Sequence, residues 1–257
     1  MKHARVAYAG AVHNAVEVAG RLQLTDGRTP AEHEVVWLPP FVPRTIFAVG
    51  LNYADHVKEL AFSKQEEPLI FLKGPNAIAG HRAQSRRPAE ATFMHYECEL
   101  AVVIGKTARD VARTHAYEHV AGYTVANDYA VRDYLENYYR PNLRAKNRDA
   151  LTLLGPWLVD AADIADPMNL SLSTRVNGKL TQEGTTKNMI FDVPFLIEYL
   201  SAFMTLSPGD VILTGTPEGV INVNVGDAVV TEVEGVGKLT NFIVADAAFG
   251  IGREASL

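Results

Sequence analysis

Cysteine is almost absent from this sequence: among 257 residues there is one, Cys98. A single cysteine excludes a disulfide bond within the chain. Because Cys98 stands between two glutamates on a predicted strand, we expect its side chain to point away from theirs and to pack in the core. A nucleophilic role for this thiol is the alternative.

The sequence also lacks an excess of basic charge. It has 24 Lys and Arg residues and 30 Asp and Glu residues, which gives a formal net charge of -6 and a pI near 5.8. Nucleic acids and anionic membranes call for clustered basic residues, so a small-molecule partner is favoured. No hydrophobic stretch approaches transmembrane length, and no long apolar region follows the N-terminal charges. We therefore expect a cytoplasmic protein.

Several common functional motifs are missing. The sequence contains no P-loop, no G-x-G-x-x-G, no H-E-x-x-H and no G-x-S-x-G pattern. Nucleotide-binding, zinc-protease and serine-hydrolase functions therefore lose their usual sequence support. We also find no internal repeat and no low-complexity segment.

The turn residues divide the chain into two parts. Short β-rich runs fill residues 1–40, and prolines at positions 39, 40 and 43 predict a stiff linker. We expect a small N-terminal β subdomain over residues 1–40 and a catalytic domain over residues 41–257. The N-terminal strands are predicted near residues 6–8, 13–18 and 34–37.

Strand patterns dominate the second part. Apolar, β-branched runs predict strands at residues 45–50, 69–72, 100–104, 122–126, 170–176, 210–213, 228–233 and 239–244. The clearest helix is predicted at 193–204, where apolar residues recur at helical spacing before a Ser-Pro-Gly stop. With 47% hydrophobic residues the chain can bury a sizeable core. The expected fold class is α+β and rich in β structure.

Three carboxylates carry the strongest chemical signal. Glu97 and Glu99 alternate along one predicted strand, so both point to the same face. Unpaired like charges side by side are costly unless a cation neutralises them. Asp128, near the end of a second apolar run, offers a third oxygen, and such a site suits Mg²⁺ or Mn²⁺ better than Zn²⁺. The alternative is a solvated strand end.

Other candidate residues are individually weaker. His56 and Glu59 stand three apart, so on a helical turn they would form a proton-transfer pair, unless His56 is an incidental surface residue. Lys146 either balances a metal-bound acid or is solvated. The turn at residues 214–219 could present hydroxyl and backbone N–H donors to a carboxylate, or be only a turn.

Five segments together resemble the fumarylacetoacetate hydrolase family. They are FAVGLNYADH at 47–56, PLIFLK at 68–73, HYECEL at 95–100, NDYAVRD at 127–133 and LTGTPEGV at 213–220. The match runs from about residue 45 to 245 in the family's order and spacing. Within the family, the stretch at residues 133–146 is most similar to enzymes of the homoprotocatechuate pathway.

This resemblance implies a fold, a reaction and a set of roles. The fold is a mixed β-roll with the N-terminal β appendage added. The reaction is decarboxylation of 5-oxopent-3-ene-1,2,5-tricarboxylate, isomerisation of 2-hydroxyhepta-2,4-diene-1,7-dioate, or both, in a homodimer or with a homologous partner subunit. The resemblance assigns Mg²⁺ or Mn²⁺ to Glu97, Glu99 and Asp128, catalysis to His56, Glu59 and Lys146, and substrate contacts to Lys73, Tyr139, Arg140 and Thr216.

The chain departs from several hydrolase members of the family at one position. Those members carry Gln seven residues after the metal-binding Asp, whereas Leu135 stands here. The departure weakens a hydrolytic function, since that Gln is a polar substrate contact. Acylpyruvate hydrolysis and oxaloacetate decarboxylation nevertheless remain alternatives, as does a binding protein without chemistry. Arg140 could also be a surface residue beside Pro141. A lid at about residues 52–65 is expected to exclude water.

Overall fold

Strands are the commonest regular element in the computed structural model, which describes residues 1–54, 66–135 and 142–246. In chain order they are β1 (Lys2–Tyr8), β2 (Ala11–Val18), β3 (Arg21–Leu24), β4 (Val36–Leu38), β5 (Ile46–Gly50), β6 (Leu69–Lys73), β7 (Ile78–Ala79), β8 (Gln84–Arg87), β9 (Met94–His95), β10 (Cys98–Ile104), β11 (Val120–Asp128), β12 (Ala130–Val131), β13 (Thr152–Asp160), β14 (Ser171–Val176), β15 (Lys179–Thr185), β16 (Val211–Leu213), β17 (Ala228–Val233) and β18 (Gly237–Ala245).

Helices are few among the described residues. Two are α-helical, α1 (Leu143–Lys146) and α2 (Val193–Phe203). Five short 3₁₀ helices complete the elements: Pro75–Ala77, Arg113–His119, Arg132–Tyr134, Ala161–Asp163 and Thr186–Asn188. The predicted β-rich α+β class is confirmed.

The strands form two mixed sheets and a two-stranded ribbon. The larger sheet has the order β3-β2-β1-β13-β11-β10-β16-β5-β6, with β4 paired to β1 and β7 paired to β13. The smaller sheet has the order β15-β14-β17-β18-β8, and β9 pairs with β12. Most pairs are antiparallel, but β5 with β16, β7 with β13 and β8 with β18 are parallel. This mixture agrees with the predicted mixed β architecture.

The N-terminal strands join the larger sheet. β1 pairs with β13 through its first two residues, and it also pairs with β2 and β4. Residues 1–40 therefore extend the same sheet that carries β10 and β11. They also have a small core of their own, which contains Ala4, Val6, Ala15, Leu22, Leu24, Val35 and Trp37. The division at residue 40 stays a prediction.

Helix α2 follows its sequence signals closely. Asp192 caps its N-terminus by accepting a hydrogen bond from the Phe195 N–H at 2.9 Å, and a proline occupies its first turn. The apolar stripe of Val193, Leu196, Ile197 and Leu200 is buried in the main core. The helix ends one residue before the predicted position, because Met204 takes an extended backbone conformation.

The main core surrounds the central strands. All seven residues of β10 are buried, since β10 lies between β11 and β16 in the larger sheet. Cys98 is fully buried in this core, as predicted, and its thiol lies 3.6 Å from the Glu232 carbonyl. Among the described residues, no helix combines the length and the apolar character needed to cross a membrane.

A buried histidine joins the two sheets and should make folding sensitive to acid. His81 accepts a hydrogen bond from the Thr240 N–H at 3.1 Å, and burial, followed by nearby Arg82, lowers the pKa of His81 to about 4. An unfolded chain takes up this proton near the ordinary value of 6.5. Between these values the unfolded state binds more protons, so the free energy of unfolding falls as the pH falls from 6.5 to 4.

We predict that His81→Gln removes up to about 3 kcal/mol of this acid destabilisation, since one pKa unit corresponds to about 1.4 kcal/mol. The slope should persist in part, because burial also lowers the pKa of His95 to about 4. Urea unfolding at a series of pH values measures the pH dependence of the free energy of unfolding. His33→Gln, at an exposed position, is the matched control. Equal pH slopes in wild type and His81→Gln would contradict the prediction.

Candidate metal centre

Two neighbouring strands bring the three predicted carboxylates together. Glu97 immediately precedes β10, Glu99 lies on β10, and Asp128 ends β11. The two strands pair in antiparallel register, with Cys98 opposite Asn127. One carboxylate oxygen from each of Glu97, Glu99 and Asp128 lies within 4.8 Å of the others. The alternation that the sequence predicted thus produces a compact all-oxygen cluster.

Hydrogen bonds fix the strand ends that hold this cluster. The Asn127 side-chain oxygen accepts from the Glu97 N–H at 3.1 Å, and the Asp128 N–H donates to the Glu97 carbonyl at 3.0 Å. The Asn127 amide also donates to Asn241 on β18 at 3.2 Å. The backbone at the site is therefore held by both sheets, which restricts where the carboxylates can point.

Glu99 is the least compensated of the three acids. It is buried, and its Oε2 accepts from the Gly215 N–H at 2.6 Å. Burial, followed by the charges of Asp128 and Glu97, raises the pKa of Glu99 well above its usual range. Gly215 has a φ of +87°, and an added Cβ would lie 3.0 Å from the Val49 carbonyl oxygen. Glycine is needed there to bring its N–H to Glu99.

Lys146 lies between the other two acids. From the last position of α1, its Nζ is 2.5 Å from Glu97 Oε2 and 2.8 Å from Asp128 Oδ2. Burial opposes its charge, but the carboxylates of Asp128, Glu97 and Glu99 outweigh burial and raise the pKa of Lys146. Its ammonium is therefore charged at neutral pH and lies in the cluster, and its catalytic role stays a prediction.

Lys73 approaches Asp128 from the other side. Its side chain is fully buried, and its Nζ donates to Asp128 Oδ1 at 2.5 Å and to the Lys146 carbonyl. Thr152 on β13 donates to the same Asp128 oxygen at 3.3 Å. Burial lowers the pKa of Lys73. Although burial opposes ionisation of Asp128, Lys146 and Lys73 hold its pKa below the usual range.

The charge balance of these five side chains fits a divalent cation. When all five groups are ionised, three carboxylates and two ammonium groups sum to one negative charge. Glu99 forms no ion pair with any described residue, so its raised pKa favours the neutral form until a cation binds. A divalent ion would reverse that balance to one positive charge, which a carboxylate ligand could neutralise. Carboxylate oxygens alone are the donors that Mg²⁺ and Mn²⁺ prefer. The residues present therefore fit either ion.

Thr216 lies in the glycine-rich turn that follows β16. It is buried, and its Oγ1 accepts a hydrogen bond from the Gln182 amide at 2.9 Å. Gln182 also donates to the Pro217 carbonyl at 2.8 Å and accepts from Thr174 at 3.0 Å. Gln182, on β15, thereby attaches the turn to the smaller sheet and helps to place the Gly215 N–H against Glu99.

Four predicted site residues lie outside the described residues. His56 and Glu59, the expected proton-transfer pair, fall within residues 55–65, together with most of the expected lid. Tyr139 and Arg140 fall within residues 136–141. Their roles stay predictions. Of the other six, the structure brings Glu97, Glu99, Asp128, Lys146 and Lys73 into contact, and it places Thr216 next to Gly215.

Two residues that hold the site could not be predicted from sequence patterns. Nothing in the local sequence distinguishes Thr152 from other strand threonines, because its role follows from the pairing of β13 with β11. Gln182 lies in a polar stretch without an alternating pattern. The Thr152 partner Asp128 is 24 residues away along the chain, and the Gln182 partner Thr216 is 34 residues away. Only the three-dimensional pairing of the strands identifies them.

We predict that Gln182→Leu lowers the free energy of unfolding by about 2 kcal/mol or more, because it leaves several buried polar groups unpaired. Urea denaturation measures the change. Gln84→Leu, at an exposed position of β8, is the matched control and should be nearly neutral. Wild-type stability in Gln182→Leu would show that the turn does not depend on this amide.

Comparison with known proteins agrees with the family resemblance. The family sequence model described as "Fumarylacetoacetate (FAA) hydrolase C-terminal" matches residues 45–244. A curated relative, the 4-hydroxyphenylacetate degradation bifunctional isomerase/decarboxylase of Salmonella dublin, is 59% identical over 216 residues, which cover 84% of this chain and 50% of that protein. The chain thus spans about half the length of this relative and of a second curated isomerase/decarboxylase, from Escherichia coli.

Solved structures with the same fold include two informative neighbours. The 5-carboxymethyl-2-hydroxymuconate delta-isomerase of Mycobacterium smegmatis is 40% identical with a TM-score of 0.84, covering 95% of this chain and 99% of that one. The maleylpyruvate hydrolase of Sphingobium sp. SYK-6, solved with manganese(II) and pyruvate, is 28% identical with a TM-score of 0.82 over the same shares. Since the family's sequence model spans most of its length, this chain belongs to the fumarylacetoacetate hydrolase family.

Proposed function

We propose that this chain is a divalent-cation-dependent enzyme of aromatic catabolism. Its proposed reactions are decarboxylation of 5-oxopent-3-ene-1,2,5-tricarboxylate and isomerisation of 2-hydroxyhepta-2,4-diene-1,7-dioate. The observation that carries the proposal is the cluster of three carboxylates and Lys146, found in a chain 59% identical to an isomerase/decarboxylase. The matched 216 residues make up 50% of that relative, so its full activity is part of the proposal.

Glu97, Glu99 and Asp128 would hold the cation. Support comes from their convergence and from the neighbour solved with manganese(II) and pyruvate. When bound, a divalent cation supplies Lewis-acid stabilisation of the negative charge that develops on a 2-oxo acid as an adjacent bond breaks. Loss of CO₂ and loss of a proton create the same kind of charge, so one site can serve both proposed reactions. Mg²⁺ and Mn²⁺ both suit the donors.

The two lysines have different proposed roles. Lys146 keeps its proton because Asp128 and Glu97 surround it, so it can offer a fixed positive charge and N–H donors to an anionic substrate. Lys73 is fully buried behind Asp128. Its ammonium group donates hydrogen bonds to Asp128 and to the Lys146 carbonyl. We therefore propose that Lys73 positions Asp128 and Lys146, instead of making the expected substrate contact.

The remaining roles come from the family resemblance and complete the proposal. His56 and Glu59 would move protons, with His56 as the acid or base and Glu59 orienting it. Tyr139, Arg140 and Thr216 would contact the substrate. Thr216 has geometric support, because its turn adjoins Glu99 through Gly215. Residues around 52–65 would cover the site and exclude water while charge develops.

Partners and location belong to the same proposal. Small unsaturated 2-oxo di- or tricarboxylates are the proposed substrates, in the cytoplasm. The proposed assembly is a homodimer or a complex with a homologous subunit. The second candidate function is hydrolysis of an acylpyruvate or decarboxylation of oxaloacetate. The maleylpyruvate hydrolase with the same fold supports this second candidate function.

Four substrates tested side by side decide between these functions. With Mg²⁺, we expect CO₂ release from 5-oxopent-3-ene-1,2,5-tricarboxylate and an absorbance change with 2-hydroxyhepta-2,4-diene-1,7-dioate, both well above the rates with oxaloacetate and acetylpyruvate. Glu97→Ala should lower both rates by about 10²-fold or more, because the cation contributes several kcal/mol of charge stabilisation. Glu183→Ala, an exposed carboxylate on β15, is the matched control.

The outcomes separate the candidates. Faster turnover of acetylpyruvate or oxaloacetate would favour the second candidate function. Full activity of Glu97→Ala would contradict the assignment of the centre itself. No turnover of any of the four acids, in a preparation that binds Mn²⁺, would favour a binding protein without catalytic activity.

A further inference from the structure

A cavity of about 470 Å³ lies away from the metal centre. Its walls come from β1, β4 and β13, from the turn before β8, and from the hairpin of β17 and β18. None of its lining residues takes part in the carboxylate cluster or in the Gln182 network. The volume is in the range of roughly 300–1,000 Å³ that is usual for small-molecule sites.

Three aromatic rings shape this cavity. Trp37 meets His81 edge to face, with ring centroids 5.1 Å apart, and meets Trp157 in the same way at 5.3 Å. Trp37 and His81 are buried, whereas Trp157 is partly exposed. Gly80 allows the turn to lie against β4, because an added Cβ would be 2.3 Å from the Trp37 carbonyl oxygen. The rings therefore have fixed positions, which suits a flat apolar ligand.

Two nitrogens of the same rings have defined hydrogen-bonding states. The Trp37 Nε1–H is buried and has no acceptor among the described residues. His81 Nδ1 accepts from the Thr240 N–H, so the proton of neutral His81 is on Nε2. A buried N–H without an acceptor costs free energy, and an acceptor supplied by a ligand would recover it.

Charged residues line the cavity as well, with a small excess of positive charge. Lys238 is paired with Glu232 at 3.2 Å. The remaining charged residues of the lining are Lys2, Arg82 and Glu32, which sum to one positive charge. One positive charge beside aromatic walls and an unpaired donor calls for a monoanion with a planar body.

We propose that this cavity binds a small aryl or arylalkyl carboxylate. The planar ring would pack against the partly exposed Trp157, and the carboxylate would be attracted by Lys2 and Arg82. A small local shift that uncovers the buried Trp37 Nε1–H would let the carboxylate accept from it. This site is separate from the metal centre. The proposal holds or fails independently of the proposed function.

The chain provides its own reporter for the test. Its only two tryptophans, Trp37 and Trp157, both line the cavity. We expect phenylacetate to change the tryptophan fluorescence of the full-length protein with saturation. Phenylacetamide, which has the ring without the charge, and acetate, which has the charge without the ring, should each bind at least about tenfold more weakly, as expected for a lost charged hydrogen bond or lost ring burial.

Variants locate the binding. Trp37→Phe keeps a ring but removes the N–H and should raise the Kd for phenylacetate about tenfold, with Trp157 still reporting. Arg82→Gln alters an exposed side chain and should weaken binding without affecting folding. Arg21→Gln on β3 is the matched control for lost charge. Glu97→Ala should leave phenylacetate binding unchanged.

Three results would overturn the proposal. The first is a fluorescence change that does not saturate with phenylacetate. The second is equal binding of phenylacetamide. The third is phenylacetate binding that is lost in Glu97→Ala but retained in Arg82→Gln, since that pattern would assign the ligand to the metal centre. Circular dichroism of Trp37→Phe verifies its fold, and Arg82→Gln keeps the test decisive if Trp37→Phe does not fold.

Discussion

Repulsion among three converging carboxylates is the constraint on which the site depends. Glu97, Glu99 and Asp128 lie at the ends of two strands in the centre of the larger sheet, where water cannot screen them fully. Lys146 and Lys73 offset two of the charges and leave Glu99 without an ionic partner among the described residues. The backbone N–H of Gly215 stabilises Glu99 only in part. Glu99 therefore has a raised pKa, and a bound divalent cation would stabilise its ionised form.

Both sheets are used to hold this arrangement. The larger sheet supplies the carboxylates from β10 and β11, Lys73 from β6 and Thr152 from β13. The smaller sheet supplies Gln182, which fixes the turn that carries Gly215, and Asn241, which holds Asn127 beside Asp128. Residues that never touch a substrate thereby determine where the charges point. A fold with two packed sheets gives more rigid support than a loop would.

The sequence predicted the elements with strong local patterns and missed those defined by pairing. Strands β10 and β16 are continuous apolar runs, and α2 has an N-cap, a proline and an apolar stripe, so their positions were predictable. β13 was missed because a Gly-Pro pair interrupts it, and β15 because its sequence KLTQEGT is polar. In the site, alternation identified Glu97 and Glu99. The position of Lys73 behind Asp128 could not be predicted, because residues 55 apart meet only through strand order.

Mn²⁺ titration of the metal-free protein, followed by electron paramagnetic resonance, tests the central claim most directly. The account predicts one Mn²⁺ per chain, with Mg²⁺ competing for the same site. In Glu99→Gln, which removes the charge but keeps the shape, binding should weaken by at least about tenfold, as expected for the loss of a charged ligand. Glu183→Gln on the exposed face of β15 should bind as wild type does. Absence of a stoichiometric site in the wild type, or equal affinity in Glu99→Gln, would contradict the account.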